Sequence, residues 1–320
     1  MAKSKSNQTL IIRFSSLGDV AMTIPVVYSV AKRYPDEEFV LITKKPFQAI
    51  FINKPNNLVL ADQNDASILS INKVADLHSV LRSWRMDLSF FLKGAKVTII
   101  NKGRKEKKKL TREKHKQFKQ LDTSTERYQQ VFERLGYDAT LDFNSLFTSK
   151  NKHPEAWIGI APFAKHPGKT YPLEQMEEVI RLLSLRPQVQ LFLFGGSNDR
   201  EKLEEWAEKY KNVQSVAGQM SFPEELHLIN DLDVMLSMDS ANMHLASLVN
   251  TPVVSIWGAT HPYAGFYGYH QNPENVVQVD LACRPCSVFG NKPCWRGDYA
   301  CLNEIRPEMI VEKILFETNT

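Results

Sequence analysis

The sequence contains no long hydrophobic run. Its first apolar segment, Leu10-Ile11-Ile12, ends at Arg13, whereas a secretory signal needs roughly 7–15 apolar residues and a membrane span needs about 20. Because no such run occurs elsewhere in the chain, we expect a cytoplasmic protein with at most peripheral contact at the inner face of the cytoplasmic membrane. The sequence also has no internal repeat with a period of about 20–50 residues, which argues against a solenoid.

Cysteine is scarce, and all of it lies in one short segment. Cys283, Cys286, Cys294 and Cys301 follow the pattern C-x2-C-x7-C-x6-C. Disulfides are disfavoured in the cytoplasm, so four clustered thiols suggest a structural zinc site. The second pair lacks the usual two-residue spacing, and free or redox-sensitive thiols are therefore the alternative. We expect no catalytic metal.

Positive charge is concentrated in one segment of the N-terminal half. The net charge of the 320 residues is +4, yet Lys102–Lys119, with ten Lys and Arg and two Glu, carries +8 by itself. A local basic segment usually faces an anionic partner, here the phosphorylated or carboxylated core of a lipid or the anionic inner leaflet. A solvated loop that aids solubility is the alternative. Only Phe118 places an aromatic ring in the segment, so we do not expect nucleic acid as a partner.

Short apolar strands alternate with amphipathic helices along the sequence. Gln8–Phe14 is predicted to be a buried strand, Val20–Tyr34 a helix that ends at Pro35, and Glu38–Thr43 a second strand. A strand–helix–strand opening favours a parallel sheet with helices on both faces. The sequence therefore belongs to the α/β class.

The length of the chain and a polar linker divide it in two. A chain of 320 residues suits two domains of about 150 residues each, and the alternation starts again after the polar segment Lys150–Glu155. We expect an N-terminal domain over residues 1–150, which includes the basic segment, and a C-terminal domain over 151–320. The final amphipathic helix, Arg306–Phe316, is placed in the C-terminal domain, with packing back on the N-terminal domain as the alternative.

The loops that follow the strands are the candidate site, because ligands of parallel sheets bind outside the carboxyl ends of the strands. In the first loop, Ser15–Asp19, Gly18 permits close approach of a ligand and Asp19 begins a helix. The ordinary interpretation of Asp19 is a helix cap. The functional one is a general base that faces a cleft between the domains and takes the proton of an acceptor hydroxyl.

Three loops of the second half place polar groups in equivalent positions. Lys165–Pro172 brings cations to the start of a helix, which suits a phosphate. Ser237–His244 offers Ser240, His244 and a helix dipole to a diphosphate, and Ile256–Pro262 directs Thr260 and His261 toward the cleft. A surface loop, a capped helix with a partly buried histidine, and a plain turn are the respective alternatives.

Taken in order, the four loops resemble the bacterial lipopolysaccharide heptosyltransferases, glycosyltransferase family 9. The matches keep their order and cover nearly the whole chain, so together they are more specific than any one alone. The matching residues are Arg13, Ser15 or Ser16, Gly18, Asp19 and Pro25; Lys169, Thr170, Tyr171 and Pro172; Asp239, Ser240, Ala241, His244 and Ala246; and Pro252, Trp257, Gly258, Thr260 and Pro262.

The resemblance implies the GT-B fold, in which two Rossmann-like domains face a cleft, and an inverting, metal-independent transfer of a hexosyl or heptosyl group that requires no cofactor. It implies an N-terminal domain that binds an anionic glycolipid acceptor and a C-terminal domain that binds ADP-heptose or a similar nucleotide-sugar donor. Asp19 takes the role of catalytic base. The residues that we assign to the donor are Lys165, Lys169, Asp239, Ser240, His244, Gly258 and Thr260. Those that we assign to the acceptor are Ser15, Ser16, Gly18, His78, Arg82, Lys102 and Arg104, with Asp76 and Arg85 nearby.

One residue departs from the family pattern. Ala241 stands where the family usually has glycine, and its methyl group restricts the backbone and reduces the room for a phosphate. The sequence as a whole predicts a heptosyltransferase-like enzyme of lipopolysaccharide core assembly. A sugar-nucleotide epimerase of the same architecture and a non-catalytic module that binds polyanions through the basic segment are the two alternatives.

Overall fold

The computed structural model describes residues 8–62, 65 and 70–318, so the polar start of the chain, residues 1–7, lies outside the described part. The chain forms two compact units: the first comprises the chain up to Lys102 with Asp122–Leu146, and the second comprises Gly103–Leu121 with the chain from Phe147 onward. The division after Leu146 lies close to the expected boundary. No helix of the described part is long and apolar enough to span a membrane.

The first unit is built on a five-stranded parallel sheet. The strands are β1 (Gln8–Ile12), β2 (Glu38–Ile42), β3 (Leu58–Ala61), β4 (Ile71–Asp76) and β5 (Lys96–Ile99), in the order β3-β2-β1-β4-β5. Leu10 in β1 lies level with Val40 in β2 and Val74 in β4, and all three are buried. The strand order reverses between β1 and β4, so the loops after these two strands lie at the switch point of the sheet.

The helices of the first unit follow the local rules of their sequence. They are α1 (Leu17–Ala21), α2 (Ile24–Arg33), α3 (Lys45–Gln48), α4 (Leu81–Leu92) and α6 (Ser124–Leu135), whereas α5 (Arg104–Thr111) belongs to the second unit. At the start of α6 the Thr123 hydroxyl accepts from the Glu126 amide, and the Glu126 carboxylate accepts from the Thr123 amide. Gly136, with φ at 95°, ends the helix.

The predicted helix Val20–Tyr34 is in fact two helices, α1 and α2. Pro25 explains the break, because proline has no N–H for a continuous helix and is tolerated only in a first turn. α2 begins at Ile24, one residue before Pro25. Asp19 therefore lies inside the short helix α1, whose N-cap is Ser16.

The second unit is built on a six-stranded parallel sheet. The strands are β6 (Ala156–Ala161), β7 (Val189–Leu193), β8 (Val213–Ser215), β9 (Val234–Met238), β10 (Val253–Ile256) and β11 (Val276–Val277), in the order β11-β10-β9-β6-β7-β8. This is the strand order of a doubly wound dinucleotide-binding sheet, with its switch point between β6 and β9. The two units confirm the predicted class of two Rossmann-like α/β domains.

The last helix packs within the second unit. The helices of this unit beyond α5 are α7 (Leu173–Ser184), α8 (Arg200–Ala207), α9 (Phe222–Asp231), α10 (Ala241–Leu248), α11 (Ala300–Asn303) and α12 (Pro307–Thr318). Ile310, Val311 and Ile314 of α12 are buried in the core that surrounds β6, β9 and β10. The helix belongs to the second unit.

The basic segment also packs on the second unit, so its expected place in the N-terminal domain was wrong. α5 buries Leu110, which packs with Leu121 and Ala264. Lys107 is buried too, with its ammonium 3.9 Å from the centroid of the Phe266 ring. These apolar contacts explain why the basic segment packs with the second unit, because its hydrophobic partners lie near residue 264.

Lys116 fastens the end of the segment to the second unit. Its Nζ donates to the carbonyl oxygens of Cys283, Arg284 and Pro285 at 2.8, 2.7 and 3.0 Å. The expected landing surface is therefore smaller than the sequence suggests, because two of its lysines serve the fold. The exposed cations of the segment are Arg104, Lys105, Lys108, Lys109, Arg112, Lys114 and Lys119.

Candidate active site

The loop after β1 fixes the orientation of Asp19. Nη2 of Arg13 lies 2.7 Å from Oδ2 of Asp19, and the same oxygen accepts from the amide and the hydroxyl of Ser16 at 3.2 and 2.8 Å. Arg13 is itself buried and donates through Nη1 to the Leu77 carbonyl at 2.6 Å, just after β4. The Asp19 side chain stays 29% exposed. A carboxylate is thus held by two neighbouring strands and remains accessible to a ligand.

His78 follows β4 and lies beside this loop. Its Nδ1 accepts a hydrogen bond from the Phe14 amide at 3.2 Å. Burial lowers the pKa of His78 to about 4, and the positive charges of Arg13 and Lys102 act in the same direction. His78 is therefore neutral at pH 7, with its proton on Nε2, because Nδ1 is the acceptor. It offers one N–H donor to an acceptor oxygen.

The remaining acceptor candidates divide between the units. The Arg82 guanidinium lies 5.5 Å from the centroid of the Phe14 ring, next to His78. Lys102 donates to the Ser79 carbonyl at 3.5 Å. The structure thus brings Arg82 and His78 close to the loop of Asp19, in which Ser15 is half-buried, Ser16 exposed and Gly18 buried. Arg104 begins α5 and belongs to the second unit, and its contact with an acceptor stays a prediction.

Asp76 is a buried anchor of the turn from β4 to α4. One carboxylate oxygen accepts from the amides of His78 and Ser79 at 2.7 and 2.8 Å, and the other accepts from the Ser83 hydroxyl at 2.7 Å. Asp76 is fully buried. Its only signal in the sequence is its place two residues before His78, and its role is to position His78 rather than to line the acceptor.

A second buried carboxyl group, Asp87 of α4, lies near Asp76. Asp87 is 5% exposed, and in its protonated form it can donate a hydrogen bond to the Asp76 carboxylate. Burial, together with the negative charge of Asp76, raises the pKa of Asp87 to about 8. Asp87 is therefore mostly protonated at neutral pH.

Asp87→Asn is expected to remove a pH dependence of stability. The folded chain keeps the Asp87 proton up to about pH 8, whereas the unfolded chain loses it near the ordinary pKa of 3.8. The folded state therefore binds more protons between these values, and stability falls as the pH rises through them. Urea denaturation at about pH 5 and about pH 8 measures the free energy of unfolding. Between these two pH values the free energy of unfolding of the variant should rise relative to that of the parent protein by about 1–4 kcal/mol. Asp142→Asn, at an exposed position, is the control, and equal pH profiles of parent and Asp87→Asn would contradict the assignment.

In the second unit a buried ion pair joins the loops after β6 and β9. Nζ of Lys169 lies 2.8 Å from Oδ2 of Asp239 and donates to the Asp239 carbonyl at 3.1 Å. The side chain of Asp239 is 4% exposed and that of Lys169 is 14% exposed. The pair fixes an ammonium group at the switch point of the sheet, beside the N-terminus of α10, where an anion is favoured.

The start of α10 carries the other donor candidates. Ser240 is the N-cap, its hydroxyl lies 3.2 Å from that of Ser237, and His244 is buried one turn into the helix. Ala241 is not among the described non-glycine residues with positive φ. The backbone at this position therefore does not require glycine, and the departure from the family pattern concerns only the space that the Ala241 methyl group takes.

Close backbone packing surrounds Lys169. The Gly168 amide donates to the Gly290 carbonyl at 3.1 Å, and the Ala259 amide donates to the Gly168 carbonyl at 2.8 Å. A Cβ atom on Gly258 would lie 2.6 Å from Leu302 and 2.7 Å from the Gly168 carbonyl oxygen. Gly258 therefore has a packing role, and its contact with a donor stays a prediction.

Arg284 holds the loop after β10. It is buried, and its guanidinium donates to the carbonyl oxygens of Gly258, Trp257 and Thr260 at 2.6, 2.9 and 3.1 Å. The carbonyl groups of this sharp turn are thereby satisfied away from water. Arg284 is missing from the predicted site because it follows Thr260 by 24 residues, and no local pattern connects the two.

The remaining candidates of the second unit differ in exposure. Thr260 is 1% exposed, and its hydroxyl has no hydrogen-bond partner among the described residues. His261 is buried, its Nδ1 accepts from the Tyr263 amide at 3.1 Å, and burial with the charge of Arg284 lowers its pKa to about 4. Lys165 is exposed. Contacts of Thr260 and Lys165 with a donor stay predictions.

The four cysteines are free thiols. The sulfur of Cys286 lies 3.9 Å from the Ala259 carbonyl, and that of Cys294 lies 4.0 Å from Asp298. Across residues 8–62, 65 and 70–318, which include all four cysteines, no group of three or more His, Cys, Asp or Glu side chains is arranged to hold a metal ion. The structural zinc site stays a prediction.

Each unit thus carries charged and polar loops at the switch point of a doubly wound parallel sheet, the architecture of enzymes that bind nucleotides. The family model of glycosyltransferase family 9 (heptosyltransferase) matches residues 97–293, which is more than half of the chain. The chain belongs to this family and is a glycosyltransferase. Membership of a transferase family decides against both the epimerase and the non-catalytic module.

The matches to individual relatives cover most of the chain. It is 22% identical over 317 residues to lipooligosaccharide heptosyltransferase 2 of Campylobacter jejuni, a match that covers 93% of this chain and 95% of that protein. It is 25% identical over 279 residues to lipopolysaccharide heptosyltransferase 3 of Escherichia coli, which covers 76% and 81%. The solved structure of a family 9 glycosyltransferase from Veillonella parvula matches with a TM-score of 0.74 at 15% identity, over 99% and 98% of the two chains. The predicted GT-B fold is confirmed.

Proposed function

We propose that this enzyme transfers heptose from ADP-heptose, with inversion, onto an anionic glycolipid of the lipopolysaccharide core or lipid A type. Membership of a heptosyltransferase family supports the sugar, and the names of the two relatives support the acceptor class. The observation that carries the proposal is the ion pair of Arg13 with Asp19, which presents an oriented, accessible carboxylate at the switch point of the first unit.

In the proposed reaction Asp19 is the general base. It takes the proton of an acceptor hydroxyl while the oxygen attacks the anomeric carbon from the face opposite the diphosphate. The bond from the anomeric carbon to the diphosphate breaks, its electron pair leaves with the nucleotide, and the configuration inverts. His78 donates through Nε2 to a second acceptor oxygen, and Arg82 attracts the acceptor's negative charge. Arg13 and Ser16 act through Asp19 and are positioning residues.

On the donor side, the second unit stabilises the charge that develops on the leaving diphosphate. Lys169 supplies a fixed cation, and α10 supplies its N-terminus with Ser240 and His244. Donors that are already oriented need no reorganisation during the reaction, which makes such an arrangement effective. Asp239 orients Lys169 and is a positioning residue.

Calorimetric titration of ADP-heptose, UDP-sugars and GDP-sugars tests the proposed donor. We expect micromolar binding of ADP-heptose alone, and an affinity about 10–100 times weaker in His244→Ala, because a hydrogen bond to a charged group contributes about 1.5–3 kcal/mol. His227→Ala, an exposed histidine of the same unit that packs on Phe147, is the matched control and should bind like the parent protein. Preferential binding of a UDP- or GDP-sugar, or equal affinities in all three proteins, would overturn the proposed donor site.

A further inference from the structure

Helix α4 of the first unit exposes an apolar face. Its members recur at helical spacing, and all are large: Leu81, Trp84, Leu88, Phe91 and Leu92, which are 66%, 46%, 58%, 63% and 76% exposed. At 100° per residue these five side chains fall within an arc of about 100°. The opposite face of α4 buries Ser83, Asp87 and Phe90. The helix is thus packed on one side and apolar on the side that faces water, the reverse of an ordinary surface helix.

The charges around this α4 apolar face have one sign. Arg82 and Arg85 lie next to it on the helix, and Lys93 and Lys96 follow the helix; all four are exposed. The sole acidic residue between Leu81 and Ile99 is Asp87, which is buried. An apolar stripe with a cationic border is the pattern of a helix that lies in the surface of an anionic membrane. Trp84 adds an aromatic ring of the kind that is enriched at the membrane–water boundary.

The length of α4 agrees with lying in a membrane surface rather than crossing it. Twelve residues span about 18 Å, whereas a bilayer core is about 30 Å thick. A twofold contact between two copies through the same face would bring Arg82 and Arg85 of one copy close to those of the other, because such an interface pairs a patch with itself. Like charges in a contact are unfavourable. The positive charges around the α4 apolar face therefore favour an anionic membrane surface over a second copy of the chain as the binding partner.

We propose that the α4 apolar face docks the enzyme on an anionic phospholipid bilayer, with the apolar side chains among the upper acyl chains and the arginines at the level of the phosphates. The proposal deepens the proposed function in one respect, since a glycolipid acceptor is met at such a surface. Membrane docking itself needs neither a particular donor nor Asp19.

Sedimentation with vesicles tests the docking. The full chain should bind vesicles of phosphatidylethanolamine with phosphatidylglycerol and should bind phosphatidylcholine vesicles at least tenfold more weakly. Arg82→Gln with Arg85→Gln should weaken binding to the anionic vesicles by at least tenfold, because each basic side chain near such a surface contributes a factor of about five. Leu88→Glu with Phe91→Glu should abolish it. High salt should weaken the binding of the parent protein to anionic vesicles and leave the binding of the arginine variant nearly unchanged.

Matched controls exist on the second unit. Leu185 and Phe316 are 66% and 76% exposed and lie outside α4, so Leu185→Glu with Phe316→Glu should sediment like the parent protein. Arg186→Gln with Lys211→Gln is the control for the loss of two exposed cations. Lipids brominated on the acyl chain should quench the fluorescence of Trp84, so that quenching is lost in Trp84→Phe and kept in Trp295→Phe.

The outcomes separate docking from catalysis. We expect Leu88→Glu with Phe91→Glu to keep calorimetric donor binding and transfer to a deacylated, water-soluble acceptor while losing vesicle binding. Vesicle binding equal to that of the parent protein in this variant would overturn the proposal. So would light scattering that shows a dimer in the parent protein and a monomer in the variant, with neither bound to vesicles. Failure of donor binding in the parent protein would contradict the proposed donor. The vesicle-binding experiment would still test the membrane docking independently.

Discussion

Asp19→Asn is expected to lower kcat by about 10²–10⁴-fold, the contribution of a positioned general base. The amide keeps the size of the side chain but does not accept a proton from an acceptor hydroxyl. Arg13 and Ser16, which hold the carboxylate at 2.7 and 2.8 Å, remain in place to orient the amide oxygen. Initial rates with ADP-heptose and a lipopolysaccharide-core acceptor measure the effect, and KM for the donor should change little.

The control for Asp19→Asn removes another ion-paired carboxylate of the same unit. Asp138 lies 3.6 Å from Arg33, and Asp138→Asn should retain the activity of the parent protein. If Asp19→Asn is folded and turns over as fast as the parent protein, Asp19 is a capping residue of α1 and not the base. A loss of activity that follows a loss of folded protein, measured by circular dichroism, would likewise mean that Asp19 serves the fold.

Lys169→Met is expected to lower the free energy of unfolding by about 3–5 kcal/mol, because it leaves the buried carboxylate of Asp239 without its cation. Asp239 is 4% exposed, so water does not replace the ammonium. Donor affinity should fall as well, since Lys169 supplies the cation at the proposed diphosphate site. Urea denaturation and calorimetry measure the two effects separately.

The double variant Lys169→Met with Asp239→Asn separates stability from binding. Removing both charges takes away the unpaired carboxylate, so most of the lost stability should return, whereas donor binding should stay weak. Recovery of donor affinity together with stability would show that Lys169 acts on the fold alone. Arg181→Met, which breaks an exposed pair with Glu178, is the control and should leave the denaturation midpoint unchanged.

Elements with a local signal were predictable from the sequence. β1 and β2 have short apolar runs that are buried on both faces, and the structure places them within two residues of the predicted bounds. α12 has a helical repeat of apolar residues, and its bounds also agree. The division of the predicted helix Val20–Tyr34 into two helices could have been predicted, because Pro25 disrupts a continuous helix.

Elements whose pattern depends on distant partners were not predictable. α5 is rich in lysine and looks like a solvated loop, because its buried residues face Ala264 and Phe266 far along the chain. The second half of α4, up to Leu92, lacks the usual helical alternation of buried and exposed faces, because its apolar residues are exposed.

The candidate site shows the same division. The family motifs point to Asp19 and Lys169, and the structure places each in an ion pair at the switch point of its sheet. Arg284 was missed, and the backbone contacts of Asp76 were not predicted, because the sequence does not show which carbonyl or amide group a buried side chain satisfies. Residue types can be read along the chain, whereas pairing over 24 residues, as between Arg284 and Thr260, is a property of the fold.

The hydrogen bonds of Lys116 to the 283–285 carbonyl groups also bear on how the chain is made. Lys116 and Cys283 are separated by 167 positions, so at about 5–20 residues per second the ribosome needs roughly 8–33 seconds to supply the partners of this lysine. During that interval the basic segment has left the ribosome and its docking surface does not yet exist. A fragment that begins at Phe147 would lack the segment permanently and expose Phe266 and the uncapped carbonyl groups. We therefore expect that the second unit does not fold as a fragment that begins at Phe147, and that such a fragment needs residues 103–121 in the same chain or as an added peptide.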